Sequence, residues 1–248
     1  MSQLQNKNFW EEAWLKHIEN YLKTIPRTGF FIKTLLRNKI SSTLEIACGS
    51  SRDSIYLANE GYKSTASDFD DKTIAYLQHR FGHLENLNYQ IADAFNLPFD
   101  DNSFDLVYHN GFFIYFHNNQ DVFDLLKEQE RVTRKYILIL VHNRLNSKLV
   151  SEFKKLSNED KLYDIRFFDP IELEELIFNL SLKIKKVIIL KFGSFGRFGV
   201  DSYLSKIFKL PFINSFIETI LLNLIFKLYQ TQMWEDTERI ACLIELDK

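Results

Sequence analysis

The chain has 248 residues, 46% of them hydrophobic and 26% charged, so it can bury the core of one large α/β domain. Its net charge of −2 gives no overall field that favours nucleic acid, which we do not expect as a partner. The two cysteines, Cys48 and Cys242, are far apart and in no CxxC motif. This usage predicts a cytoplasmic protein with neither a disulfide framework nor a metal site.

The first predicted element is an amphipathic helix over residues 8–23, with Asn8 as its N-cap. Its aromatic side chains recur at helical spacing and form a stripe: Trp10, Trp14, His17 and Tyr21. The stripe either packs on the domain or covers a ligand site, and the second alternative makes Trp10 and Trp14 substrate-pocket candidates. With a short helix over residues 30–37, this region forms a predicted helical cap, residues 1–40.

Residues 43–53 read TLEIACGSSRD, a β-prone run that ends in small residues and leads directly into a helical pattern. Strand, small-residue turn and helix is the form of a nucleotide-binding βα unit. Small residues let backbone N–H groups approach a ligand, and the helix N-terminus adds a partial positive charge. A plain tight turn is the alternative.

The second predicted strand, residues 63–67, stops at Asp68-Phe69-Asp70. An acidic residue at this strand end, some twenty positions after the small-residue turn, is placed to accept hydrogen bonds from ribose hydroxyls. The alternative is that Asp68 or Asp70 caps the next helix. Both roles can hold, with Asp68 on the ribose and Asp70 as the cap.

A third strand is predicted over residues 87–91. It is followed by the sequence ADAFNLPFDDNSFDLVY, residues 92–108, whose last five residues are the predicted fourth strand, 104–108. This sequence resembles the adenine-binding turn and fourth strand of class I S-adenosylmethionine-dependent methyltransferases of the small-molecule type. The turn at 43–53 resembles their motif I, with Glu45 at the acidic position and Gly49 as the central glycine. Ala47 and Ser51 replace the first and third glycines, and the serine puts the closeness of helix–strand packing in doubt.

The resemblance implies a doubly wound α/β fold, with a seven-stranded, mostly parallel sheet and an antiparallel last strand. It implies S-adenosyl-L-methionine as the cofactor, with Asp93 and Ala94 at the adenine and Phe69 and Phe95 beside the ring. The implied cofactor-binding residues are Glu45, Ala47, Gly49, Ser50, Arg52, Asp68, Phe69, Asp93, Ala94, Phe95 and Asn110.

Strand four is followed by His109-Asn110-Gly111, and Asn110 and Gly111 match the family. His109 replaces a small residue, and Ile114 and Tyr115 occupy the positions of a histidine pair. A fifth strand, residues 135–141, ends at His142, at the edge where open α/β sheets hold ligands. His109 and His142 are therefore the acid–base candidates, and a structural role is the alternative for each.

A charged, solvated helix is predicted over residues 147–160. A second helix starts at Asp169-Pro170 and runs to about residue 180. The sixth and seventh strands are residues 186–191 and 239–245. Residues 192–234 interrupt the sheet with a glycine-rich start and an apolar helix. Glu218 and Lys227 leave this helix too short an uncharged run to span a bilayer. It is either a buried insertion or a weak membrane-surface contact through residues 212–228. We expect residues 192–234 to form a lid, with Trp234 and Tyr115 in the substrate pocket.

The predicted domains are thus the cap, a cofactor-binding domain over residues 41–191 and 235–248, and the lid. The resemblance implies transfer of a methyl group to an oxygen or nitrogen of a small molecule. One alternative is a catalytically inactive cofactor-binding or scaffold protein, suggested by Ser51 and the missing histidine pair. The other is an NAD-dependent oxidoreductase, which the spacing disfavours because Ile55 stands where a third glycine belongs.

Overall fold

The computed structural model describes residues 7–180, 182–193 and 215–248. The strands are β1 Ser42–Ile46, β2 Lys63–Asp68, β3 Leu87–Ile91, β4 Phe104–Asn110, β5 Thr133–His142, β6 Ile184–Phe192 and β7 Arg239–Leu246. The helices are α1 Lys7–Leu22, α2 Arg27–Leu36, α3 Arg52–Asn59, α4 Asp71–Phe81, α5 Asn119–Val132, α6 Ser147–Leu156, α7 Pro170–Phe178 and α8 Ser215–Thr231.

The seven strands form one sheet in the order β3-β2-β1-β4-β5-β7-β6. The first five are parallel to one another, and β7 runs antiparallel to both β5 and β6. The predicted fold class is therefore confirmed. The strand order reverses direction between β1 and β4, and in open α/β sheets the crevice at such a switch point is where ligands bind.

The interior strand β5 shows how the sheet is covered on both faces. Ile137, Ile139 and Val141 pack into one cluster with α5 and α7, whereas Leu138 and Leu140 pack into another with α2, α3 and α8. Successive side chains of a strand point to opposite faces, so an unbroken apolar run such as KYILILV fills two layers. This layering fixes the carboxyl ends of the parallel strands at one edge.

Several predicted boundaries differ from the structure. α1 begins at Lys7, so Asn8 lies inside the helix and is not its N-cap. β4 continues to Asn110 and β5 includes His142, so both candidate histidines belong to strands rather than to the following loops. The predicted cap of α4 is confirmed, because the Asp70 side chain accepts hydrogen bonds from the backbone N–H groups of Lys72 and Thr73.

The predicted lid lies partly outside the described residues, which exclude 194–214. Within α8, Leu222, Phe226 and Tyr229 are buried against α2 and β6, whereas Ile220, Leu224 and Leu228 are exposed. Among the described helices, none is both long and apolar enough to cross a membrane.

Candidate functional site

A cavity of about 540 Å³ opens at the carboxyl ends of the parallel strands, beside the switch point. Ten of the eleven predicted cofactor-binding residues line it: Glu45, Ala47, Ser50, Arg52, Asp68, Phe69, Asp93, Ala94, Phe95 and Asn110. Three of the four predicted substrate-pocket residues line it too: Trp10, Trp14 and Tyr115. The cavity therefore brings together residues from elements far apart in the sequence.

The turn after β1 has three residues with the positive φ angles that favour glycine, although only one of the three is a glycine. Ala47, Gly49 and Ser51 have φ values of 50°, 51° and 49°, in the left-handed region that favours glycine. A non-glycine residue there costs on the order of 1–2 kcal/mol. The buried Ser51 side chain is held by a hydrogen bond between its Oγ and the Tyr89 hydroxyl, 2.9 Å apart. Serine at the third position is thus accommodated between the helix and the strand.

Gly49 itself is covered by α1. A Cβ atom at this position would lie 2.1 Å from the Trp14 ring, which packs directly on the turn. Gly49 is absent from the cavity wall, and the indole of Trp14, which is part of that wall, lies against it. A glycine is required here both by its positive φ and by this close approach.

Asp68 joins the end of β2 to the turn. Its carboxylate accepts hydrogen bonds from the backbone N–H groups of Gly49 at 3.0 Å and Asp70 at 3.2 Å. Burial raises the pKa of Asp68 to about 6, and the two N–H donors act in the opposite direction. At neutral pH most of this carboxylate is ionised, and it borders the cavity with capacity to accept further hydrogen bonds.

Two more acids, Glu45 and Asp53, lie at the floor of the cavity. Glu45 accepts hydrogen bonds from Ser54 Oγ at 2.6 Å and the Tyr108 hydroxyl at 3.1 Å. Burial, and then the nearby charge of Asp53, raise its pKa to about 8. Asp53 accepts a hydrogen bond from the Gly29 N–H at 2.9 Å. The sequence analysis missed Asp53, although its place in the first helical turn after the small residues could have revealed it.

The Asp93-Ala94-Phe95 turn forms another part of the wall. The backbone N–H of Phe95 donates to Asp93 Oδ1 at 2.9 Å, which fixes the turn. The Phe95 ring packs edge-on against Phe116, with centroids 5.7 Å apart, and remains 42% exposed. Phe69 and Phe95 thus present aromatic surface to the same end of the cavity.

The opposite end of the cavity, which we call the distal chamber, has mostly aromatic and apolar walls: Trp10, Tyr21, Phe112, Ile114, Tyr115, Phe153, Leu162, Tyr163 and Ile165. Trp10 packs edge-on against Tyr115 with centroids 4.7 Å apart, and Phe153 packs edge-on against Tyr163 at 5.6 Å. The aromatic stripe of α1 therefore faces the cavity. Phe153 was missed because residues 147–160 read as a charged, solvated helix, and Tyr163 lies just beyond that segment.

His142 and Arg239 supply the basic side chains of the distal chamber. They are directly paired in the β5–β7 ladder, and Arg239 Nη1 donates a hydrogen bond to Asn110 Oδ1. Burial, and then the charge of Arg239, hold the pKa of His142 well below its usual range. The imidazole is thus neutral at physiological pH. The sequence analysis found β7 but not Arg239, because only the antiparallel pairing brings residue 239 beside residue 142.

Besides Gly49, two predicted residues lie away from the cavity wall: His109 and Trp234. His109 is fully buried, with its ring 4.2 Å from that of Phe113 and its Nδ1 accepting the Phe112 N–H at 3.4 Å. Burial lowers its pKa to about 3, so this placement does not support an acid–base role. Trp234 packs on the core cluster that contains α5 and α7, below Lys191. Trp234 was predicted in the substrate pocket, but it is absent from the cavity wall because its partly buried ring packs on that cluster.

Within the described residues, no three or more histidine, cysteine or acidic side chains are grouped so that they could hold a metal ion. Cys48 and Cys242 are both buried free thiols.

Comparison with known proteins finds similarity in the central part of the chain. Residues 44–139 match the family model of a methyltransferase domain. The chain is 31% identical over 126 residues to phosphoethanolamine N-methyltransferase 1 of Caenorhabditis elegans, a match that covers 47% of this chain and 26% of that protein. It is 32% identical over 126 residues to demethylmenaquinone methyltransferase of Staphylococcus epidermidis, covering 50% of this chain and 46% of that one. The chain thus spans less than half the length of these relatives.

The fold is shared over nearly the whole chain with a solved structure from Thermotoga maritima, described as a SAM-dependent methyltransferase and possible histamine N-methyltransferase. The TM-score is 0.64 at 16% identity, and the superposition covers 96% of this chain and 99% of that one. At this level of identity the comparison establishes the fold.

Proposed function

We propose that this chain, whose residues 44–139 match the family model of a methyltransferase domain, is a class I enzyme that transfers a methyl group from S-adenosyl-L-methionine to a small-molecule acceptor. The observation that carries the proposal is the cavity at the switch point. It lies where this fold holds ligands, and its walls combine the turn after β1, the Asp68 carboxylate and the Asp93 turn.

The donor set of the cavity fits this cofactor. Asp68 has an ionised carboxylate for the ribose hydroxyls, and Asp93 with Ala94 offers acceptor and backbone groups for the adenine amine. Asp53 is the acidic wall residue suited to an ammonium group, and Arg52 is the neighbouring cation suited to a carboxylate. Phe69 and Phe95 supply aromatic surface beside the adenine position.

When bound, the cofactor supplies an electrophilic methyl group on a positively charged sulfur. The chain's own contribution is to orient the acceptor and to exclude water. Trp10 and Tyr115 close the distal chamber from the side of α1, and Asn110 lies between the two ends of the cavity. His142, held neutral, is the group placed to hydrogen-bond a hydroxyl or amine of the acceptor.

The enclosed aromatic chamber favours a small molecule over nucleic acid, in keeping with the absence of a basic surplus in the composition. We further propose that α1 and α2 act as a cap. The exposed apolar side chains of α8 (Ile220, Leu224 and Leu228) are the part of residues 212–228 suited to a weak lipid contact.

Titration calorimetry with S-adenosylmethionine, its demethylated product and NAD tests the proposal. Wild-type protein should bind the first two and not NAD. Asp68→Ala should bind S-adenosylmethionine about ten- to a hundredfold more weakly, because a charge-assisted hydrogen bond is worth about 1.5–3 kcal/mol. Asp100→Ala, in an exposed turn outside the cavity, is the matched control. Binding of NAD alone would overturn the proposal in favour of an oxidoreductase.

A second measurement separates an enzyme from an inactive cofactor-binding protein. Release of S-adenosylhomocysteine in the presence of an acceptor demonstrates turnover. Tight cofactor binding without release across a broad panel of oxygen and nitrogen acceptors would support the inactive alternative.

A further inference from the structure

The distal chamber contains two buried polar atoms that have no hydrogen-bond partner in the described part of the chain. They are Arg239 Nε and His142 Nδ1. The residues are opposite each other in the β5–β7 ladder, and both line the cavity. Since buried polar atoms are almost always hydrogen-bonded, an adjacent pair without partners at a cavity wall marks the position of a ligand's polar group.

The acidic neighbour of Arg239, Glu238, does not supply the hydrogen-bond acceptor that Arg239 Nε lacks. Glu238 Oε1 lies 3.4 Å from Arg239 Nε, within ion-pair distance but outside hydrogen-bond geometry. The other oxygen of the same carboxylate accepts a hydrogen bond from Arg27 Nη1 at 3.1 Å. Glu238 is thus shared between two guanidinium groups, and Arg239 retains capacity to bind a second anion.

Hydrogen-bond chemistry restricts what can fill this place. Arginine is only a donor, so the ligand atom that meets Nε must be an acceptor. A neutral imidazole has one nitrogen that donates and one that accepts, so His142 can partner either an oxyanion or a hydroxyl. An ammonium ion has no lone pair to offer Arg239, and it would be repelled by the guanidinium charge.

The surrounding walls restrict the remainder of the ligand. The His142 ring lies 4.9 Å from Phe153 and 6.0 Å from Phe167, and Tyr115, Trp10 and Ile165 complete an apolar enclosure. Such walls accept a compact aromatic or apolar skeleton and exclude a strongly hydrated one.

We propose that the acceptor is an oxyacid, a carboxylate or an acidic hydroxyl on an aromatic or apolar skeleton, bound through Arg239 and His142 and methylated on oxygen. This inference rests on the proposed methyltransferase function. An oxygen lone pair of the anionic acceptor forms the new O–CH₃ bond as the methyl carbon–sulfur bond breaks. The bonding electrons pass to sulfur, which becomes a neutral thioether, so the anionic acceptor gives up no proton in the transfer.

Arg239 would then be the specificity-determining residue of the acceptor site. The test uses two ligands of similar shape and opposite charge, phenylacetate and phenethylamine, titrated into protein saturated with S-adenosylhomocysteine. Binding is followed by tryptophan fluorescence excited at a wavelength that neither ligand absorbs, since Trp10 and Trp14 line the cavity. We expect phenylacetate to bind at least tenfold more tightly than phenethylamine.

Arg239→Gln should weaken phenylacetate binding at least tenfold and should not weaken phenethylamine binding, because the repelling guanidinium charge is removed. Arg144→Gln is the matched control, because Arg144 follows β5 at the same sheet edge but pairs with Asp169 and Glu172 outside the cavity. It should alter neither affinity.

Equal affinities, a preference for the amine, or no binding of phenylacetate by wild-type protein would overturn the inference even if Arg239→Gln fails to fold. Binding of S-adenosylhomocysteine is measured first, because it separates failure of the proposed function from failure of the oxyacid assignment. Its absence refutes the proposed function, whereas its presence with an amine preference refutes only the oxyacid assignment.

Discussion

The buried Glu45 makes stability depend on pH in a way that one substitution should remove. Its carboxyl group is 3% exposed and receives hydrogen bonds from Ser54 and Tyr108. Burial, with the charge of Asp53, raises its pKa to about 8. Glu45→Gln keeps the size and the acceptor oxygen but cannot ionise, so it imitates the protonated acid at every pH.

The sign of the effect follows from proton linkage. In the unfolded chain the pKa of a glutamate is about 4.3, so the folded protein holds a proton that the unfolded chain has released. The stabilising contribution is complete below pH ~4 and is lost as pH rises through the folded value near 8. The slope is about 1.4 kcal/mol per pH unit. Between pH 5 and 8 the wild type should therefore lose about 3–4 kcal/mol relative to Glu45→Gln.

Urea denaturation without cofactor at pH 4, 5, 6, 7 and 8 measures this difference. Asp68→Asn is the comparison variant, because its acid has a folded pKa of about 6. The difference between wild type and Asp68→Asn should grow from pH 4 to 6 and then become constant. If the wild-type and Glu45→Gln stability curves are parallel from pH 5 to 8, Glu45 is ionised in the folded protein and the reasoning is wrong.

Three further predictions concern the turn and the histidines. Gly49→Val should abolish binding of S-adenosylmethionine in calorimetry, because a side chain there meets the Trp14 ring and blocks the backbone; normal binding by the folded variant would refute the cofactor-binding role proposed for the turn after β1. Ala47→Gly should raise the free energy of unfolding in urea by about 0.5–1 kcal/mol, since φ is 50°, and a decrease would contradict the argument. In single-turnover assays His142→Ala should be at least tenfold slower than wild type, because His142 lines the cavity and orients the acceptor, whereas the buried His109→Ala should stay within about threefold; the reverse order would refute these assignments.

The sequence predicted those parts of the site that depend on local backbone signals. Each of these parts is a short segment in which small or acidic residues follow the end of a strand: the turn after β1, Asp68 at the end of β2, and the Asp93 turn. The parallel topology brings these segments to one sheet edge, so ten of the eleven predicted cofactor-binding residues line one cavity. The agreement places the residues, and their individual roles stay predictions.

The missed residues depend on pairings that no short window contains. Arg239 lies beside His142 only because β7 inserts antiparallel between β5 and β6. Phe153 and the nearby Tyr163 were missed because the three lysines and three acidic residues of 147–160 dominate the local pattern, although both aromatic side chains line the cavity. His109 was misplaced because β4 extends two residues further than predicted, which turns its side chain into the core.

α1 connects the two ends of the cavity physically. On one side Glu11 and Glu19 pair with Lys72 and Arg80 of α4, and on the other Lys16 lies 3.1 Å from Asp160. Exposed ion pairs of this kind contribute at most about 1 kcal/mol each, so the buried aromatic contacts of the helix dominate its attachment.

One of those contacts, Trp14 on Gly49, joins α1 to the turn proposed to hold the cofactor. A cofactor at that turn must therefore contact or displace Trp14. Trp10, one helical turn earlier in α1, packs against Tyr115 in the distal chamber. Because one rigid helix carries both indoles, a movement of Trp14 at the cofactor end is transmitted to Trp10 at the acceptor end. Cofactor binding and closure of the distal chamber are consequently expected to be coupled.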